Sequence, residues 1–452
     1  MYEKRSISIK DILWFIIPSL FGVLLLMTPF KYNGMTTVAV SVISKTINQW
    51  INAVFPIHYI ILLIIFISCV LALCYRLFRP SFIEKNDLLK EISDITIFWL
   101  IIRLIGLALG LMTVLHIGPE MVWGKETGGL ILFDLIGGLF TIFLAAGFIL
   151  PFLTEFGLLE FVGVFLTPIM RPFFQLPGRS AVNCVASFVG DGTIGIALTD
   201  KQYVEGYYTS REAATISTTF SAVSITFCLV VLQNVGLTDY FGHFYLTVII
   251  SSVVCAFIIP YIPPLSRQSN SYYTKPKKET SEVIPDGYNK IEWGLKLAID
   301  KSKANGNMKT VVNNASKTVL SLWFGVMPTI MTVGTIALII SVSTPIFKIL
   351  GTPFLPFLEL LGIPEADIAS QTMIVGFSDM VVPSIMAAEI HSEMTRFIVA
   401  TVSIVQLIYM SETGAVILGS KIPINILELF IIFIERTIIS LPIIVLMAHL
   451  FF

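Results

Sequence analysis

Nine apolar stretches, most of them long enough to cross a bilayer as a helix, recur along this chain, and no other feature restricts its fold as strongly. They fall near 12–30, 55–73, 95–115, 130–153, 213–232, 245–262, 319–342, 397–410 and 424–446. Crossing ~30 Å of hydrocarbon takes ~20 helical residues, and there every backbone N–H and C=O must be paired inside the protein. Composition agrees: 55% of residues are hydrophobic and 13% charged, with a mean hydropathy of +0.85. A water-facing exterior cannot be built from such a chain. The expected fold is an all-α, polytopic transmembrane helical bundle.

The first ten residues, MYEKRSISIK, are basic and lead directly into the first apolar run. That run is long, holds Pro18 and is followed by no small-residue cleavage site, so it reads as a retained helix and not a signal. Two connections are also rich in Lys and Arg: 76–94, and 264–317 with ten basic and five acidic residues. Basic connections favour the cytoplasmic face. All three land there if the segment 151–211 enters and leaves the membrane on one side. The expected location is the bacterial cytoplasmic membrane, multi-pass, with the lipid bilayer as first partner.

Several classes are disfavoured. A net charge of −1, from 29 basic and 30 acidic residues, argues against a nucleic-acid partner, which needs a basic face. The five cysteines (Cys69, Cys74, Cys184, Cys228, Cys255) lack CxxC spacing and read as small buried hydrophobes. The five histidines have no ligand spacing, and HExxH, GxSxG and GxxxxGK[ST] are missing. No enzyme and no cofactor are expected, and the sequence names no metal.

Two apolar segments are broken. Residues 151–211 carry Pro151, Pro168, Pro172, Pro177, Gly178, Gly190, Gly192 and Gly195, and 344–391 carry Pro345, Gly351, Pro353, Pro356, Gly362, Pro364, Gly376 and Pro383. They also align in order: Thr167-Pro168 with Thr352-Pro353, Leu176-Pro177 with Ile363-Pro364, Val189-Gly190 and Asp191 with Val375-Gly376 and Asp379, and Arg211 through Ser217 with Arg396 through Ser403. The offset stays between 185 and 188 residues, which points to an internal repeat. Each copy then holds an odd number of full crossings, so the second should be inverted relative to the first. Inverted repeats with Gly/Pro breaks at matching places point to a transporter's binding site. A broken helix frees backbone groups that only protein, water or a ligand can satisfy in a membrane.

The motifs Ser187-Phe-Val-Gly-Asp-Gly-Thr193, Tyr207-Tyr-Thr-Ser-Arg-Glu-Ala-Ala-Thr-Ile-Ser217, Val375-Gly-Phe-Ser-Asp-Met380, Gln406-Leu-Ile-Tyr-Met-Ser-Glu412 and Glu435-Arg-Thr-Ile-Ile-Ser-Leu-Pro442 resemble the YjiH family, membrane proteins of the nucleoside recognition (Gate) group. Gate domains also occur in B-type ferrous-iron transporters, concentrative nucleoside transporters and spore-maturation membrane proteins. The resemblance implies a transport-like fold with inverted halves, without implying nucleosides as substrate. The expected organisation is an N-terminal extension with three membrane helices (1–128), a first Gate-type repeat (129–263), a cytoplasmic hydrophilic loop (264–316) and a second repeat (317–452).

The candidate substrate- or ion-binding residues are Asp191, Thr193, Asn183, Ser187, Gln371, Ser378, Asp379, Gln406, Glu412 and Glu435. Asp191 and Asp379 follow equivalent breaks. They either bind solute or an ion near the midplane or cap helices at an aqueous tip. The neutral polar residues beside them either line a pocket or hold helices together. Glu435 and Arg436 lie inside the last run about 100° apart around a helix, so each needs a partner elsewhere in the bundle. Arg103 and Asp134 can pair with each other. The expected function is a permease for a small polar solute, driven by a Na+ or H+ gradient or facilitative. The alternatives are a membrane assembly protein acting on a partner subunit, and a channel. A homo-oligomer is compatible with all three.

Overall fold

The computed structural model describes residues 8–26, 28–32, 35–189, 192–220, 223, 225–276, 284–285 and 287–452. Among the described residues it is almost entirely helical, and seven helices are long and apolar enough to cross a membrane. α1 (Ile9–Leu26) leads to a two-stranded antiparallel hairpin, β1 (Pro29–Tyr32) and β2 (Met35–Val38), then to α2 (Ala39–Val54). α3 (Ile57–Phe78) and α4 (Ile97–Leu115) are the next two spans.

The rest of the chain runs through one order of elements twice. The first pass is α5 (Leu130–Thr154), the amphipathic α6 (Leu158–Phe174), the pair α7 (Ser180–Val189) and α8 (Gly192–Val204), the pair α9 (Ser210–Thr219) and α10 (Ile225–Asn234), and the span α11 (Phe241–Ile258). A hydrophilic connection carrying α12 (Lys290–Asn305) follows. The second pass is α13 (Met308–Ser343), the short pieces α14 (Ile346–Gly351) and α15 (Leu355–Leu360), the pair α16 (Ala366–Val375) and α17 (Val382–Ala387), the pair α18 (Glu393–Val405) and α19 (Thr413–Gly419), and the span α20 (Ile426–Phe451).

Local signals repeat with the elements. α6 ends in a left-handed residue, Gln175 at φ 57°, and α15 ends just before Gly362 at φ 71°, so Leu176-Pro177 and Ile363-Pro364 follow equivalent turns. Both leading spans contain a π-helical stretch, Leu130–Ile136 and Leu322–Val326. Thr209 caps α9 and Ser392 caps α18, each accepting a backbone N–H in the first turn. The leading spans meet where Phe140 and Trp323 stack at 4.3 Å and 8°.

Two expected spans, 213–232 and 397–410, are not continuous helices. Each is a pair of short helices with a break between them, so each half holds two interrupted elements instead of one. Hydropathy registers apolar composition and misses a break that side chains from other helices satisfy. The expected span 319–342 starts earlier, at Met308, because Val311, Ala315 and Val319 make a buried face on the preceding turns.

Arg103 and Asp134 do not pair as expected. Arg103 Nη1 donates to Ser68 Oγ and Ile92 O, both at 2.9 Å, and Ser68 Oγ donates to Phe324 O in the π-turn of α13 at 2.7 Å. Arg103 therefore helps to hold α3 and α4 on the second half. Gly106 permits the close approach of α4 to α13: a Cβ there would lie 2.5 Å from Pro328 O.

Candidate functional site

α18 stops inside the core, where its last carbonyls have no bulk water to bind. Protein groups take them instead. Tyr409 folds back so that its hydroxyl lies 3.0 and 2.9 Å from Ser403 O and Ile404 O. Arg436 Nε, from α20, donates to Val405 O at 2.7 Å. Arg436 Nη1 reaches Thr218 O and Thr219 O, in the last turn of α9, at 3.4 and 3.5 Å. One fully buried guanidinium thus holds the C-terminal ends of both interrupted helices. A cation suits that position, because each helix C-terminus carries a partial negative charge. The partner that Arg436 needs is therefore backbone carbonyl from both halves.

The chain then runs extended past the second hairpin. Met410 N donates to Phe377 O at 2.8 Å and Ser411 N to Ser378 O at 2.9 Å. Asp379, 6% exposed, accepts from Ser411 Oγ and from Val381 N, both at 2.7 Å. Gln406 Nε2 donates to Met373 O and to Thr437 Oγ1, both at 2.8 Å, and its Oε1 packs where a side chain at Gly376 would stand. Glu412 is buried at the start of α19, beside Ser411. Five buried atoms around these breaks have no hydrogen-bond partner among the described residues: Arg436 Nη2, Gln406 Oε1, Thr219 Oγ1, Ser217 Oγ and Glu435 Oε2. Buried polar atoms are normally paired, so this concentration marks a place built for something besides packing.

The expected residues divide into groups. Ser378, Asp379, Gln406 and Glu412 come together, with the half-buried Glu435 next to Arg436. Gln371 does not join them: it is partly exposed, and its amide donates to Asp367 O of its own helix at 3.4 Å. Asn183 belongs to a buried network in the first hairpin, where Gln202 Nε2 donates to Asn183 Oδ1 at 3.0 Å and Asn183 Nδ2 to Thr199 Oγ1 at 3.1 Å. Ser187 lies against Gly195 where α7 crosses α8. Thr193 is buried in the first turn of α8, and Asp191 lies outside the described residues. Arg436, Ser411 and Thr437 complete the cluster. No local motif flags the last two. Arg436 was visible as an intramembrane charge, but its partners are carbonyls, which carry no sequence signature.

Two clefts of about 200 and 100 Å³ share Asp200, Ser321 and Leu322. They run from Asn314 and Lys317, beside the hydrophilic connection, to Gly419 and Ser420 at the end of α19. Asp200 Oδ1 accepts from Lys421 N at 2.8 Å and ties the first hairpin to the second half there. Among the described residues no group of three or more His, Cys, Asp or Glu is placed to hold a metal ion.

A bundle of spans around paired hairpins and interrupted helices defines a multi-pass membrane protein of the Gate type. The Gate family, described as nucleoside recognition, matches residues 136–238, the stretch from α5 through α10. An uncharacterized protein of Alkalihalophilus pseudofirmus is 44% identical over 450 residues, covering 100% of this chain and 97% of that protein. No solved structure matches. The chain belongs to the same family as that protein, a family of Gate (nucleoside recognition) membrane proteins. The match does not reach the narrower YjiH name.

Proposed function

We propose that the protein is a secondary transporter of the bacterial cytoplasmic membrane, carrying a small polar solute in exchange for, or together with, Na+ or H+. The observation that carries this is the convergence of two interrupted helices on Arg436, surrounded by buried polar atoms without protein partners. Irregular backbone at membrane depth is kept where it lines a cavity or a ligand, and interrupted helices at matching places in two halves are the pattern of solute sites. A scaffold gains no stability from unpaired polar atoms, each costing about 1–3 kcal/mol when buried. In this reading the halves 129–263 and 317–452 are inverted, 1–128 braces them, and 264–316 faces the cytoplasm. The clefts beside Asp200 are the inner approach to the site.

Purified protein should be screened by thermal shift against nucleosides, amino acids, dipeptides and divalent metals, with and without Na+. A ligand at ~100 times its Kd stabilises by about 2.7 kcal/mol. Hits should show saturable uptake into proteoliposomes. Asp379→Asn should abolish ion-coupled uptake while the protein remains folded. No thermal shift and no uptake across the panel, in protein that is demonstrably folded, would instead favour the assembly role.

A further inference from the structure

The hydrophilic connection contributes a side chain to the interior of the first half. Lysines are almost never fully buried unless paired, yet Lys301 of α12 is only 5% exposed. α12 lies along α6 and α1. From there Lys301 Nζ donates to Tyr207 Oη at 2.5 Å. The Arg179 guanidinium covers the same ring, 3.7 Å from its centre. Arg179 pairs with Glu160 at 3.2 Å and donates through Nε to Gln202 Oε1 at 3.1 Å. Gln202 then donates to Asn183 at 3.0 Å. A continuous line of polar contacts therefore runs from the connection to both helices of the first hairpin, α7 and α8.

The connection grips the first half at two more places. Ser271 O and Ser269 O accept from Ser210 N and Arg211 N, at the start of α9, at 2.8 and 3.0 Å. Asn305 Nδ2 donates to Glu155 Oε2 at 2.9 Å, and Lys201 Nζ reaches Glu155 Oε1 at 3.1 Å. The charges are consistent with a firm grip. Burial alone would push the Lys301 ammonium towards its neutral form, but Glu160, then Tyr207 and Glu155, hold it protonated. The matching junction in the second half is held differently, by one carboxylate: Glu365 accepts from His391 N and Ser392 N at 3.2 and 2.8 Å.

We infer that Lys301 is a positioning residue for the first hairpin: acting through Tyr207, Arg179 and Gln202, it fixes where α7 and α8 place Asn183 and Ser187. Its importance for transport rests on the proposal that the hairpins line the solute path, whereas the positioning itself can be measured without any substrate. The experiment uses full-length protein in nanodiscs. Hydrogen–deuterium exchange is followed across 180–204, together with maleimide labelling of the native Cys184 after Cys69, Cys74, Cys228 and Cys255 are changed to Ala. Lys301→Met removes a charged hydrogen-bond donor, so hairpin exchange and Cys184 labelling should rise about ten- to hundredfold, while α18 and α20 keep parent rates. Lys301→Arg should restore most of the protection. Tyr207→Phe, which keeps the ring under Arg179, should reproduce the loosening and covers the case in which Lys301→Met fails to fold. Lys303→Met, at the exposed pair with Asp11, should change nothing in the hairpin. Unchanged hairpin exchange in both Lys301→Met and Tyr207→Phe, or an equal rise throughout the molecule, would overturn the inference. A loosened hairpin with parent uptake kinetics would instead remove that hairpin from the transport site.

Discussion

Alanine in place of Gly195 sets helix propensity against sterics at the crossing of α7 and α8. In an open helix the change stabilises by about 1 kcal/mol. Here the added Cβ would lie 2.7 Å from Ser187 Cβ and 3.3 Å from Ser187 Cα, whereas carbon atoms rest about 3.5–4.0 Å apart. Ser187 Oγ can rotate away, but its Cβ cannot, so the helices must separate by about 1 Å. Overpacking of that kind costs about 1–3 kcal/mol. Against the propensity gain, Gly195→Ala should be neutral to about 2 kcal/mol destabilising. In a Ser187→Gly background the obstructing atoms are gone, and the same change should stabilise by about 1 kcal/mol. The coupling between the two sites is then the steric term alone, about 1–3 kcal/mol. Reversible unfolding of all four proteins in mixed micelles gives this number directly. A coupling below about 0.5 kcal/mol would mean that the two helices do not cross in contact at Gly195, and the hairpin geometry would be refuted.

Arg436→Met strands the carbonyls at the ends of α9 and α18, at about 1–3 kcal/mol per unpaired group; Arg436→Lys should recover only part of this, since one ammonium lacks the fork that reaches both ends. Hydrogen exchange at residues 216–220 and 402–406 reports it, and a lysine variant equal to the parent would rule out the bridging role. The clamp around Glu155 should have a one-sided pH dependence. Burial would raise that carboxyl, but Lys201 and Lys301 outweigh it and hold it below its ordinary 4.5, so its contribution is present above that value and lost as pH falls through the lowered one. Lys301 is raised above 10.5, so its contribution is complete below 10.5 and lost only in stronger base. Hairpin exchange, corrected for the intrinsic rate, should be flat from about pH 6 to 9 and rise below about 4.5; loosening between 6 and 9 would contradict the assignment. Finally, Ser271→Cys should resist an impermeant thiol reagent in intact cells and react in inverted vesicles, since the ten basic residues of 264–317 favour the cytoplasmic face. Ready labelling of intact cells would reverse the topology.

Apolar run length alone determined that this chain is a multi-pass helical membrane protein, because backbone pairing in hydrocarbon leaves a helix as the simplest solution for each run. The order of Gly and Pro breaks, with Leu176-Pro177 matching Ile363-Pro364, showed the duplication, because these residues act on their own backbone and leave a local record. The acidic and amide residues Asp379, Gln406 and Glu412 stood out because polar groups inside apolar runs are costly. What only the tertiary structure decided is where those runs are interrupted and who completes them. Nothing within 213–232 or 397–410 ends a helix as strongly as proline does, and the interruptions persist because Tyr409 and Arg436 satisfy carbonyls that would otherwise be orphaned. The same holds for Lys301, one lysine among the ten basic residues of its connection until α12 brings it against Tyr207. Hydrogen bonds between residues about 94 or 218 positions apart depend on packing directions in space, and composition and period carry no record of them.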